Sequence, residues 1–198
     1  MNHDSYSDDY IRGILNTVKS IAMVGASKKQ NRPSYFAFKY LLEHGYTMIP
    51  VNAGHAGEDL LGRRIYARLA DVPEPIDMVD IFRGSRFALA IVEEALALKP
   101  RPQVIWMQLG IRNDEAAALA EANGLKVVMN RCPKIEYGRL SSEIGWMGVN
   151  TRTITSRKAT IGGIQRLSLN RTSARGGATE AAAAAERAQR AEREEGGT

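Results

Sequence analysis

A single cysteine, Cys132, among 198 residues excludes an internal disulfide framework and a metal cluster built on cysteine. Histidine is nearly as scarce. His3 lies in a polar opening, His44 closes a helical stretch, and His55 follows the second strand, and no catalytic partner stands at a recognisable spacing from any of them. There is no HExxH or G-x-S-x-G motif. Asp77, Asp80, Glu93 and Glu94 read as strand and helix-face carboxylates, so no catalytic residue and no metal ligand is assigned. No apolar run approaches the roughly 18 residues of a membrane span. The opening MNHDSYSDD lacks the basic and apolar regions of a signal peptide. The expectation is a cytoplasmic protein that does not enter a membrane.

What the chain does have is concentrated between Ser20 and Ser34, SIAMVGASKKQNRPS: an apolar strand, a glycine turn, a short basic loop and a proline that opens a helix. A strand that runs through a glycine turn into a helix start presents free backbone N–H groups and the positive end of a helix dipole to an anion. The pattern points to a nucleotide. A dinucleotide site would carry G-x-G-x-x-G and an acidic residue at the end of the second strand to hold the ribose. Here Gly25 stands alone, with Ser27, Arg32 and Pro33 where further glycines would be, and the second strand ends Pro50-Val51-Asn52. The missing carboxylate removes a group that would repel an additional phosphate. Lys28, Lys29, Arg32, Arg63 and Arg64 lie in loops able to reach the same crevice. A ligand richer in phosphate than NAD fits this set better.

Around that loop, strands and helices alternate. The pattern predicts a helix over 8–18, strand one over 20–26, a helix over 33–44 closed by Gly45, and strand two over 46–51. Strand three follows over 76–82, a helix over 85–98, strand four over 103–109, a helix over 113–123, and strand five over 125–130. This is an α/β chain with a doubly wound, parallel, five-stranded Rossmann-like sheet, and runs such as IAMVGA and KVVM suit strands buried on both faces. The expected spatial order is 3-2-1-4-5, with the ligand at the switch point outside the carboxyl ends of strands one and four. Those ends supply Gly25, Ala26 and Ser27, Val51 and Asn52, Phe82 and Arg83, Gln108, Leu109 and Gly110, and Arg131 with Cys132. Gly25 permits the turn, Ser27 offers a hydroxyl and an N–H, Pro33 fixes the first helical turn, and Ser34 sits where the helix start would meet phosphate. Arg32 can grip phosphate oxygens in a fork, Lys28 or Lys29 adds charge, and Phe82 with Arg83 can bracket a flat base. Each has a plainer reading: Pro50 and Asn52 as strand closure, Phe82 as core packing, and Arg63 and Arg64 as solvated turn residues. Trp106, Met107 and Met129 read as core.

The chain resembles the small bacterial and archaeal CoA-binding proteins, which are similar to the CoA-binding domain of succinyl-CoA synthetase α subunits. The resemblance runs from about Ile11 to Leu140 and rests on VGAS (24–27), NRPSY (31–35), the run from His44 to Asn52, LADVPEPIDMVDIFR (69–83), WMQLGI (106–111) and MNRCPKIEY (129–137). It implies a single Rossmann-like domain, residues 1–150, that binds coenzyme A or acyl-CoA without a reaction of its own. The pyrophosphate would lie at the glycine loop and helix start, with the Pro-Val-Asn corner and the Phe82 region in the pocket. The ligase reaction is not implied, because its phosphohistidine belongs to a separate domain. The alternative is an NAD(P)-binding oxidoreductase or redox-sensing Rossmann domain. Cys132 follows strand five where a CoA thiol would reach it, although a small buried hydrophobe is the reading favoured for it.

The formal charge of +5 does not belong to this domain. Residues 1–150 hold 18 Lys and Arg against 17 Asp and Glu, whereas residues 151–198 hold 9 against 5. From Thr151 the composition turns to Thr, Ser, Arg and Gly without a period, then to EAAAAAERAQRAEREE. That composition predicts a C-terminal tail that is disordered or partly helical. Nucleic acid is not expected as a partner beyond a contact by this basic tail.

Overall fold

The computed structural model describes residues 1–141; the tail and the boundary near residue 150 lie outside that range. Helix α1 (Asp8–Thr17) starts where Ser7 accepts the Tyr10 N–H at 3.2 Å and Asp8 and Asp9 face the positive helix end. Strand β1 (Ser20–Val24) passes through Gly25 to helix α2 (Pro33–Glu43), with Pro33 at its first position. Strand β2 (Thr47–Val51) follows, then a two-stranded hairpin, β3 (Asp59–Leu60) and β4 (Arg63–Arg64). The remaining elements are β5 (Met78–Ile81), α3 (Ala88–Ala97), β6 (Val104–Met107), α4 (Asp114–Ala122), β7 (Lys126–Val128) and α5 (Pro133–Leu140).

The five main strands are parallel and the α/β class is as the alternation requires, but their order is β2-β1-β5-β6-β7. In main-strand numbering that is 2-1-3-4-5 and not 3-2-1-4-5. Pro50 supplies the physical reason. A proline has no N–H for a second neighbour, so a strand that carries one belongs at a sheet edge. In the expected order strand two would have been flanked on both sides. In the structure β2 is the edge: the Pro50 carbonyl on the outer side accepts the Tyr66 N–H at 3.0 Å, and Tyr66 returns its own carbonyl to the Asn52 N–H at 2.8 Å. The chain after the hairpin thus caps the exposed edge. The correction moves the switch point to between β1 and β5.

Alternation along the strands divides the core in two. Ala22, Ile49, Val79, Ile81, Ile105, Met107 and Val127 face α3 and α4, where Ala88, Val92, Ala95, Ala116 and Ala120 bring the helices close. Ile21, Met23, Met78, Trp106 and Val128 point the other way, toward α1, α2 and α5. Trp106, Met107 and Met129 are fully buried, as their strand periodicity implies. The amino-terminal segment straps β7: the Tyr6 hydroxyl accepts the Met129 N–H at 2.7 Å and the Tyr10 hydroxyl donates to the Val127 carbonyl at 3.2 Å.

Candidate nucleotide site at the carboxyl edge

Three strand ends meet at the switch point. Gly25 has φ +94°, and its N–H donates to the Val51 carbonyl at 2.8 Å. The Phe82 N–H donates to the Val24 carbonyl at 2.8 Å, which holds the β5 end against the glycine turn. A Cβ at position 25 would lie 2.7 Å from the Phe82 carbonyl oxygen and 2.9 Å from Arg83 Cδ. Only glycine fits between these backbones. Its absent side chain keeps the loop pressed onto the Phe82–Arg83 corner, and the next loop residues lead straight to the start of α2.

Of the residues expected to form the site, Gly25, Ala26, Val51, Asn52, Phe82 and Arg83 are brought together here. Asn52 Nδ2 donates to the Ala26 carbonyl at 2.7 Å, while its Oδ1 accepts the Gly54 N–H at 3.1 Å. Its amide therefore braces the two loops, a structural role at the corner of the site. The Ser27 hydroxyl accepts the Lys29 N–H at 3.2 Å and shapes the turn. Arg32 precedes α2 and is exposed, Pro33 opens the helix, and Ser34 is buried in its first turn. Lys28 is not free-standing: it pairs with Glu58, which also lies 3.2 Å from His55 Nδ1. The Lys28 and His55 hydrogen bonds draw the Glu58 carboxyl below its usual pKa. An anion taken by Lys28 has to compete with that carboxylate. Arg83 lies over the Phe87 ring, with its guanidinium carbon 5.5 Å from the centroid, and Arg86 does the same at 4.7 Å.

Gln108 follows β6, the strand beside β5, and its N–H donates to the Ile81 carbonyl at 3.3 Å, next to Phe82. It is buried, and its Nε2 donates to both oxygens of Asp80 at 3.2 and 3.3 Å. Asp80 is fully enclosed between Met23 and Trp106 in register across the sheet. Burial pushes its carboxyl up to about 8, with the Gln108 hydrogen bond opposing the shift. Asp80 is thus no ordinary strand carboxylate, contrary to the expectation from sequence. The signal for this is its place inside the apolar run MVDIF, at a position alternating with Val79 and Ile81 that a sheet covered on both faces must also bury. Asp77 by contrast is structural, since its Oδ2 accepts the Lys19 and Ser20 N–H groups at 2.8 and 3.0 Å.

Cys132 caps the start of α5 as a free, half-buried thiol, and burial raises its pKa above the ordinary value. Less thiolate at neutral pH means slower chemistry. Alkylation by iodoacetamide at pH 7, followed by mass spectrometry of the native protein, is expected to run several-fold slower than that of free cysteine. A rate equal to that of free cysteine would show an accessible, unshifted thiol. A separate groove lined by Leu69, Pro73, Ile76, Leu98 and Pro100 lies at the opposite edge of the sheet, by the start of β5, away from the strand ends described above.

The family model described as a CoA binding domain matches residues 19–138. The uncharacterised protein YneT of Bacillus subtilis is 34% identical over 127 residues, covering 64% of this chain and 91% of that protein. The alpha subunit of an ADP-forming acetate–CoA ligase from Pyrococcus furiosus is 32% identical over 80 residues, which cover 38% of this chain but 17% of that subunit. Among solved structures, a hypothetical protein from Pyrococcus horikoshii superposes with a TM-score of 0.65 at 40% identity, covering 70% of this chain and 95% of the other.

Proposed function

From the premise that the chain belongs to the CoA-binding domain family, we propose that it is a non-catalytic binder of coenzyme A or its thioesters, acting as a carrier, buffer or sensor. The observation that carries this reading is the junction of Gly25 with Phe82 at the β1/β5 switch point, where a glycine at positive φ, with no room for a side chain, lets the loop before α2 close onto the end of β5. The pyrophosphate takes the N–H groups of the Ala26–Ser27 turn and of the α2 start, with Arg32 and Ser34 at its flank. The base lies against Phe82 and Arg83. The 3′-phosphate, which NAD lacks, falls to Lys28 and Lys29. Asn52 closes the corner where a dinucleotide site would place a carboxylate for the ribose. The acetate–CoA ligase is a far longer chain, and its reaction is not transferred to this one.

Calorimetric titration with coenzyme A, 3′-dephospho-CoA and NADH tests the reading. Coenzyme A is expected to bind, the dephospho form to bind about tenfold more weakly for loss of one charge-assisted contact, and NADH to give no heat. Binding of NADH with indifference to coenzyme A would reverse the assignment in favour of a nicotinamide site.

A further inference from the structure

The second strand ends without a carboxylate in sequence, yet the fold returns one to the glycine loop. The chain from Asn52 to Glu58 follows a course set by its backbone: the His55 N–H donates to the Asn52 carbonyl and the Glu58 N–H to the His55 carbonyl, both at 3.1 Å, and the Glu58 carbonyl accepts the Ile65 N–H at 2.8 Å. Asn52 is itself tied to the glycine loop through the Ala26 carbonyl. A braced turn therefore presents the Glu58 side chain. Its Oε2 accepts from Lys28 Nζ, three residues past Gly25, and its Oε1 lies 3.2 Å from His55 Nδ1.

This pairing sets Lys28 apart from its neighbours. Lys29, Arg32, Arg83 and Arg86, the other cations that follow β1 and β5, meet no carboxylate within 4 Å among the described residues. Lys28 alone is matched, by an acid 30 residues away in sequence. The match is not needed to hold the fold, because the Glu58 turn is kept by backbone hydrogen bonds and each side chain of the pair is 43% exposed. An anion from solution can reach Lys28. A pair this exposed shifts an equilibrium by no more than about fivefold, so a stronger anion is able to displace the carboxylate.

We propose that Glu58 is an internal competitor for the ligand: it occupies Lys28 in the free protein and contends there with the 3′-phosphate of coenzyme A, which weakens binding and hastens release. This rests on the coenzyme A reading above. A phosphate monoester carries close to two negative charges and three acceptor oxygens at neutral pH, against the single charge of a carboxylate, so the phosphate takes Lys28. The displaced carboxylate keeps His55 through its other oxygen. Binding thus exchanges one ion pair for another instead of adding one. Because Glu58 is tethered beside Lys28, it stands ready to recapture the ammonium as the phosphate leaves, which suits a protein that must give its ligand up. A ligand without the 3′-phosphate leaves the pair intact, and Glu58 does not affect it.

The test is calorimetric titration of coenzyme A and 3′-dephospho-CoA into the full native chain, Glu58→Gln, Lys28→Met and the double variant. Glutamine keeps the shape of the side chain and removes its charge. Glu58→Gln is expected to bind coenzyme A about three- to fivefold tighter and to dissociate from it correspondingly more slowly, with 3′-dephospho-CoA unchanged. In Lys28→Met the preference for coenzyme A over the dephospho form is expected to fall several-fold, and adding Glu58→Gln to it should change nothing further. Both positions are exposed, and unchanged unfolding midpoints will show that the variants fold. Unaltered coenzyme A affinity in Glu58→Gln overturns the proposal. Weaker binding of both ligands there overturns it too, by making the carboxylate an acceptor for a ligand hydroxyl. A gain that persists in the Lys28→Met background makes Glu58 a general repeller of phosphate, and equal binding of the two ligands by the native chain takes the 3′-phosphate off Lys28; either overturns the proposal and leaves a coenzyme A site. Failure of coenzyme A itself to bind overturns the underlying reading.

Discussion

Alanine at position 25 is expected to abolish coenzyme A binding and to lower the unfolding midpoint. Two costs combine. A φ of +94° is a conformation that side chains rarely adopt, worth about 1–3 kcal/mol of strain. The new Cβ also meets the Phe82 carbonyl oxygen at 2.7 Å and the Phe82 carbonyl carbon at 3.0 Å, both backbone atoms that cannot rotate aside. Relief requires β5 to retreat from β1, which gives up the Phe82 to Val24 hydrogen bond and reshapes the loop proposed to hold the phosphates. A total loss of about 2–4 kcal/mol in stability follows, with affinity falling at least ~100-fold. Gly45→Ala is the matched control. Gly45 has nearly the same φ, +91°, but a Cβ there would meet nothing within 4 Å, and it ends α2 at the opposite edge. That variant should lose stability from strain alone and keep its affinity. Equal affinities in Gly25→Ala and the native chain would remove the glycine loop from the binding site.

Much of the fold is legible in the sequence because local chemistry and tertiary need coincide. Ser7 before Asp8, Pro33, and Asn113 before Asp114 mark helix starts, and the Asn113 side chain does accept the Ala116 N–H at 2.8 Å. Gly45 and Gly124, both at positive φ, mark helix ends. What escapes a reading of the sequence depends on pairings between distant segments. Strand order is such a pairing, although Pro50 holds the clue, since it marks β2 as an edge. The hairpin turns through Leu61 at φ +52° and Gly62 at +77°, and leucine is no usual signal for the first of those. Helix α5 hides behind an internal Gly138 and a short length of 8 residues. At the site, the glycine loop and the Phe82 corner can be named from their motifs. The coupling of Asp80 to Gln108 cannot, because it needs β5 beside β6, with residue 80 opposite Trp106.

That coupling carries a second large expectation: Asp80→Asn should flatten the dependence of stability on pH. In the native chain the carboxyl titrates at about 8, and in the unfolded chain near 3.8. Between those values the folded protein holds one proton more than the unfolded one, so stability falls as pH rises, by about 1.4 kcal/mol per unit. The loss is complete above about pH 8 and absent below the unfolded value. Asparagine has the same shape, cannot ionise, and still meets the Gln108 amide. Denaturant unfolding of both proteins at pH 5 and pH 8 is therefore expected to show the variant gaining on the order of 4 kcal/mol relative to the native chain over that interval. His3 titrates in the same window with the opposite sign: burial lowers its pKa, so its contribution is lost as pH falls through the unfolded value of 6.5. Both proteins carry His3, and the difference between them cancels it. With the acid neutral, its hydroxyl needs an acceptor, and rotation of the Gln108 amide supplies Oε1 in place of Nε2. Parallel pH profiles would show instead that Asp80 stays ionised in the folded sheet, with the Gln108 N–H bonds outweighing its burial.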